Sequence, residues 1–175
     1  MDRKHAVRFV APVILLAVIG VASRDARAQT GPFQYYAVTP CRVADTRSAT
    51  YNSGSYLNGT PSIIGDGTGA NIRAFFVKGG TCGIPSTAKA VSVNATVVNP
   101  TITGPGNGFL SLWPAGVSWP GISTINFPPG AGATANGAVV PLSSCTPPCG
   151  DMNVRYGAVP SGTLDFVLDV TGYFQ

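Results

Sequence analysis

The sequence has no glutamate, and its one histidine is His5. All seven acidic residues are aspartates, and charged residues of both signs make up only 10% of the chain. These gaps exclude several chemistries. A His-based catalytic triad, a His zinc site and a Glu general acid have no residues to build them beyond residue 5. Long amphipathic stretches are also missing, so a parallel sheet with crossover helices has nothing to cross over with. After residue 22 no long apolar run follows, and a membrane helix needs about 20 such residues.

The first segment differs from the rest. Arg3, Lys4 and Arg8 precede an apolar run of 14 residues at positions 9–22, and Ala26 and Ala28 supply the small residues of a cleavage site. This combination reads as a secretory signal peptide over residues 1–28, removed before Gln29. The run is short for an uncleaved anchor, and no Cys stands at the cut to carry a lipid. The remaining 147 of the 175 residues are expected to form one exported domain, 29–175, in the periplasm or outside the cell. The basic balance belongs mostly to the discarded segment, which holds five of the 11 Lys and Arg and two of the seven Asp. The net charge of what remains is close to zero, so there is no argument for nucleic acid or for stable membrane insertion.

Four cysteines follow: Cys41, Cys82, Cys145 and Cys149. An even number in an exported chain reads as disulfides, and three pairings are open. Cys41–Cys82 with Cys145–Cys149 is favoured, because Thr146-Pro147-Pro148 can turn the chain between the second pair. A zinc site lacks a second ligand pair, and a nucleophilic Cys lacks a His.

Gly and Pro punctuate the chain at short intervals, and between them lie runs of Val, Ile, Phe, Tyr and Thr. Nine short strands are expected, at 33–38, 42–46, 71–78, 90–99, 108–113, 123–127, 137–142, 152–156 and 164–171. Val91, Val93, Ala95 and Val97 alternate with Ser92, Asn94 and Thr96, as a half-buried strand does. The fold class is therefore all-β, a two-sheet antiparallel β-sandwich, with a jelly-roll-like variant as its rival. Two long loops, 48–66 and 99–107, complete it.

Several ordered motifs span nearly the whole exported part: Thr39-Pro40-Cys41-Arg42-Val43-Ala44-Asp45-Thr46-Arg47, Cys82-Gly83-Ile84-Pro85, Gly108-Phe109-Leu110-Ser111-Leu112-Trp113-Pro114-Ala115-Gly116, and Leu168-Asp169-Val170-Thr171-Gly172-Tyr173-Phe174. They resemble a bacterial extracellular domain of the Acidobacteria and actinobacteria. The resemblance implies a β-sandwich-like module, often appended to larger secreted proteins, and carries no established activity, ligand or cofactor. It also supports Cys41–Cys82, since the family places a Cys in both motifs; Cys145 and Cys149 depart from its pattern.

The carboxylates offer little for catalysis. Asp165 and Asp169, four apart on one strand, stand about 13 Å apart, whereas glycosidase pairs need roughly 5–9.5 Å. Asp45 and Asp169 are expected to form structural ion pairs with Arg42 and Arg47 that lock the first and last strands together. The stretch from Asp66 to Asn71 has one carboxylate, too few for calcium, and reads as a Gly-rich turn. Trp119, in a loop, and Tyr51 and Tyr56 are the candidate ligand-binding residues, because flat rings beside Asn and Ser suit a sugar surface. The function expected is a non-catalytic binding or adhesion module for glycan or protein, without cofactor or metal. The alternatives are a self-assembling surface subunit and a carbohydrate-active enzyme built on Asp45, Asp66 or Asp151. The export reading predicts that mass spectrometry of the secreted protein finds Gln29 as its first residue; a chain still carrying residues 1–28 would overturn it.

Overall fold

The computed structural model describes residues 30–47, 61–144, 150–157 and 160–175. Residues 1–28, the expected signal peptide, and Tyr51, Tyr56, Cys145 and Cys149 lie outside them. Nine strands make up the described residues: β1 (Tyr35–Asp45), β2 (Ile63–Gly65), β3 (Ile72–Phe75), β4 (Ala90–Ile102), β5 (Gly108–Pro114), β6 (Ile125–Phe127), β7 (Ala133–Pro141), β8 (Met152–Gly157) and β9 (Gly162–Phe174). They form two antiparallel sheets. One runs β1-β9-β4-β7, with β2 also paired to β9, and the other runs β3-β8-β5-β6. Only β1–β2 and β5–β6 follow each other within a sheet; every other connection crosses between sheets. The fold is a β-sandwich.

The alternation seen in the sequence sets the core. Val93, Ala95 and Val97 of β4 pair with Val170, Leu168 and Phe166 of β9, and all six are buried. Facing them, Leu110 and Leu112 of β5 pair with Tyr156 and Val154 of β8. The Phe75 and Phe166 rings meet edge to face across the gap, centroids 5.4 Å apart, as aromatic quadrupoles prefer.

Strand ends shift at several places, as where β3 stops at Phe75, β7 begins at Ala133 and β9 runs to Phe174; three larger departures have a local reason. The strands expected at 33–38 and 42–46 are one strand. Register shifts between Ala37 and Cys41, and again between Arg42 and Ala44, break its alternation. Pro40 sits within the first shift, on an edge strand where a missing N–H is tolerated. The second shift lets Arg42 face outward beside Asp169 while Ala44 turns into the core beside Leu168. The loop expected at 48–66 contains β2, three residues too short to show a period. The loop expected at 99–107 begins late, because β4 continues to Ile102 past Asn99, whose φ is +47°, a conformation Asn tolerates better than most residues.

The Cys41–Cys82 disulfide, with Cα atoms 5.6 Å apart, ties β1 to the turn before β4. That turn places Ile84 in the core, and Gly79 N–H donates to the Ile84 carbonyl at 2.8 Å. The bridge closes a loop of 41 residues in sequence, which loop-closure entropy values at about 4 kcal/mol. Replacing both Cys41 and Cys82 by Ala is expected to lower unfolding free energy by about 2–4 kcal/mol with the circular dichroism unchanged. A urea titration checks it, and an unaltered midpoint would refute it.

Candidate functional site

Polar side chains concentrate on the outer faces of both sheets. On the β1-β9 face, Arg42 grips Asp169 with two bonds, Nε to Oδ1 at 2.8 Å and Nη2 to Oδ2 at 3.2 Å. Its Nη1 also donates to Asp45 Oδ2 at 3.2 Å. Arg47 reaches Asp45 through Nη2 at 2.7 Å, Nε at 2.9 Å and its backbone N–H at 3.1 Å. The structure thus brings Arg42, Asp45, Arg47 and Asp169 into one network across the first and last strands. Asp45 is only 2% exposed. Its carboxyl lies below the ordinary value, because the Arg47 hydrogen bonds outweigh the opposing effect of burial. Next to it, Asp165 Oδ1 accepts from Ser62 Oγ at 2.7 Å and Thr46 Oγ1 at 3.3 Å. Asp165 and Asp169 therefore serve separate anchors.

The other two carboxylates are likewise engaged. Asp151 Oδ2 accepts from the Val77 and Lys78 amides at 2.7 and 2.8 Å, and its Oδ1 pairs with Lys78 Nζ at 2.9 Å. Asp66 Oδ1 accepts from the Thr68 and Gly69 amides at 3.0 and 2.8 Å, the geometry of an Asx turn. Burial opposes ionisation of Asp66, but these bonds keep its carboxyl below the ordinary value. Ser86 and Lys89 share the Ser-x-x-Lys spacing. Both are exposed, whereas a lysine base must be desolvated to lose its proton.

The outer face of the second sheet holds a different arrangement. In register, Arg155 of β8 stands between Ile72 of β3 and Ser111 of β5. Val154 and Tyr156 point inward, so Arg155 points out, yet only 8% of it is exposed. What covers it is aromatic. Its guanidinium carbon lies 3.9 Å from the centre of the Trp119 ring and 5.6 Å from that of Phe109, within cation–π range. The two rings are nearly parallel, 15° apart, with centroids 6.0 Å from each other. Phe109 can lie here because its cross-strand partner is Gly157: a Cβ built there would come 2.1 Å from the Phe109 ring.

Trp119 is fixed in place. Its Nε1 donates to Ser111 Oγ at 3.1 Å and to the Ile122 carbonyl at 3.3 Å. Ser111, fully buried, also donates to the Ile122 carbonyl. The loop between β5 and β6 is thereby folded back over the sheet. Trp119 keeps 38% exposure; Ile122, whose carbonyl it bonds, and Ile72, the cross-strand neighbour of Arg155, are exposed too. Of the candidate ligand-binding residues, the structure describes Trp119 alone. Trp113, by contrast, is buried and donates to the Val117 carbonyl at 2.8 Å.

Sequence reading missed Arg155, Phe109 and Ser111 as a group. A weak signal was present. Arg155 falls on the polar side of an alternating strand, and Phe109 and Ser111 fall on the outward side of theirs. Which outward positions converge depends on register between β5 and β8, and that is not readable from either strand alone.

No protein-family model matches the chain, and a search of curated proteins finds no match.

The Asp45 network generates a pH-dependent test. An unfolded Asp titrates near ~3.9, and the folded carboxyl titrates lower. Its contribution is present above the unfolded value and is lost as pH falls through the folded one. Asp45→Asn is expected to cost about 1–3 kcal/mol at neutral pH, the range for charge-assisted hydrogen bonds whose Arg partners are part-exposed. Urea titrations at pH 7 and pH 2.5 should show the difference from wild type shrinking at the lower pH; a constant difference would refute the assignment.

Proposed function

We propose that the protein is an exported, non-catalytic binding module whose ligand face is the outer surface of the β3-β8-β5-β6 sheet around Trp119, and that the ligand is a glycan. The observation that carries this reading is the state of Trp119. It is a large ring left 38% exposed, held by two hydrogen bonds and seated on a cation. An immobilised, half-exposed aromatic loses little conformational entropy when a flat apolar face docks on it, which is how a rigid platform gains affinity. Sugars present such faces on their C–H edges, and Ile122 and Ile72 extend the apolar area around the ring.

Other features support the cellular setting and the lack of catalysis. The Cys41–Cys82 bridge suits an oxidising compartment, in keeping with the export segment. The motif resemblance points to a bacterial extracellular module. Asp45, Asp66 and Asp151 each have fixed donors on their oxygens, an arrangement that serves structure.

A second reading, assembly of copies, is favoured by one observation. Tyr35 and Tyr36 on edge strand β1 are 50% and 41% exposed, and Tyr36 stacks on Tyr173 at 5.1 Å. An apolar edge of this kind is available for pairing. Light scattering distinguishes the two: a monomer at micromolar concentration removes the assembly reading.

Binding of the secreted protein to an array of neutral, carboxylated and sulfated oligosaccharides tests the first. Selective binding, lost by about tenfold or more in Trp119→Ala, is the expected result, since a stacked ring contributes about 1–2 kcal/mol. No binding to any member by folded protein would overturn the glycan reading.

A further inference from the structure

Arg155 is the one described cation on either outer face that combines deep burial with no polar partner. Arg42 and Arg47 hold carboxylates, and so does Lys78. Arg155 takes part in none of these pairs, and its Nε is fully buried without a hydrogen-bond partner. Among the described residues, its guanidinium lies over the faces of Trp119 and Phe109. Aromatic faces satisfy the charge in part but accept none of its N–H groups in good geometry. A guanidinium has five donors in one plane, and stacking leaves that plane's edge for an acceptor.

The backbone opposite is shaped to admit the group. Gly69 has φ +81°, and a Cβ built on it would stand 2.4 Å from Arg155 Nη2 and 2.6 Å from Cζ. Any other residue at 69 would push the guanidinium away from the ring. The Asx turn at Asp66 fixes Gly69 in place, and it occupies Asp66 Oδ1 in doing so. The carboxylate closest in sequence to Gly69 is thereby committed to the turn, and it forms no ion pair with Arg155.

We infer that Arg155, framed by Trp119, Phe109 and Gly69, is a carboxylate-recognition site, and that the glycan bound at this face is an acidic one of the uronic-acid type. This rests on the glycan reading above and narrows it. A planar guanidinium matches a carboxylate in a two-bond fork. A pyranose ring bearing that carboxylate sits within reach of the exposed Trp119 edge, so one sugar residue engages both groups. A neutral sugar uses the ring but leaves the guanidinium unsatisfied, and an unpaired buried donor is penalised in binding.

The experiment compares trigalacturonic acid with its methyl ester, which keeps the sugar shape and removes the charge, by calorimetry on the secreted protein. The oligosaccharide array is run beside it. The acid is expected to bind about tenfold or more tightly than the ester, as a charge-assisted fork requires. Arg155→Gln is expected to abolish that preference, and Arg155→Lys to retain part of it. The ester comparison uses unaltered protein, so it decides even where a variant fails to fold. Equal binding of acid and ester, or no binding of the acid, overturns the carboxylate assignment. In either case, array binding to neutral or sulfated members lost in Trp119→Ala leaves the glycan reading standing, and an empty array removes both.

Discussion

The pairing of β9 on both its edges is the constraint from which the rest of this structure follows. The strand bonds to β1 and β2 on one side and to β4 on the other, so the last strand of the chain forms the middle of a sheet. Its inward residues, Leu164, Phe166, Leu168 and Val170, are all buried. Its outward carboxylates, Asp165 and Asp169, are the acceptors that fix Thr46, Ser62 and Arg42. The first strand therefore has no sheet to join until the last has been made. Strands from opposite ends of a chain meet late and at a high loop-closure cost, and the disulfide that pins β1 to the turn before β4 reduces that cost.

The sequence made much of this arrangement legible. The alternation in β4 identifies its core face residue by residue, and the Gly and Pro spacing gives the all-β class; the count of nine agrees only because the split of one strand offsets the missed β2. Asp45, Asp169, Arg42 and Arg47 were identifiable because their chemistry is complementary and their spacing places them on terminal strands. The limits have physical causes. Register shifts in β1 break the period that defines a strand, so one strand reads as two. β2 is held by three backbone pairings to β9, and three residues carry no periodic signal. Trp119 was legible as an exposed ring in a loop, but its seat was not. That seat is made by Arg155, Phe109, Ser111 and Gly69, drawn from three separate segments, and only tertiary register brings them together.

The two outer faces resolve the same problem in opposite ways. A charge removed from water costs several kcal/mol unless it is paired and hydrogen-bonded. On the β1-β9 face, Asp45 is buried and takes bonds from two arginines, so its charge is satisfied within the protein. On the β5-β8 face, Arg155 is nearly as deeply buried and receives two aromatic rings in place of a carboxylate. Cation–π contacts return about 2 kcal/mol or somewhat more when desolvated, less than the penalty for burying an ion. The first face is complete as it stands. The second leaves Arg155 Nε buried with no hydrogen-bond partner among the described residues.

On the binding reading proposed above, the partner missing from Arg155 is supplied from outside the fold. If Arg155 served stability alone, an apolar side chain of similar volume beneath Trp119 would do better, since replacing buried ions by well-packed hydrophobes is often neutral or stabilising. The surroundings instead preserve the cation. Gly69 is held in a left-handed turn with no Cβ, and Gly157 leaves room for Phe109. Ser111 spends its hydroxyl on the loop that carries Trp119. Their common effect is to hold one guanidinium over the Trp119 ring with no acceptor among the described residues, and an acceptor arriving from solvent gains more at that position than it would at an arginine already paired.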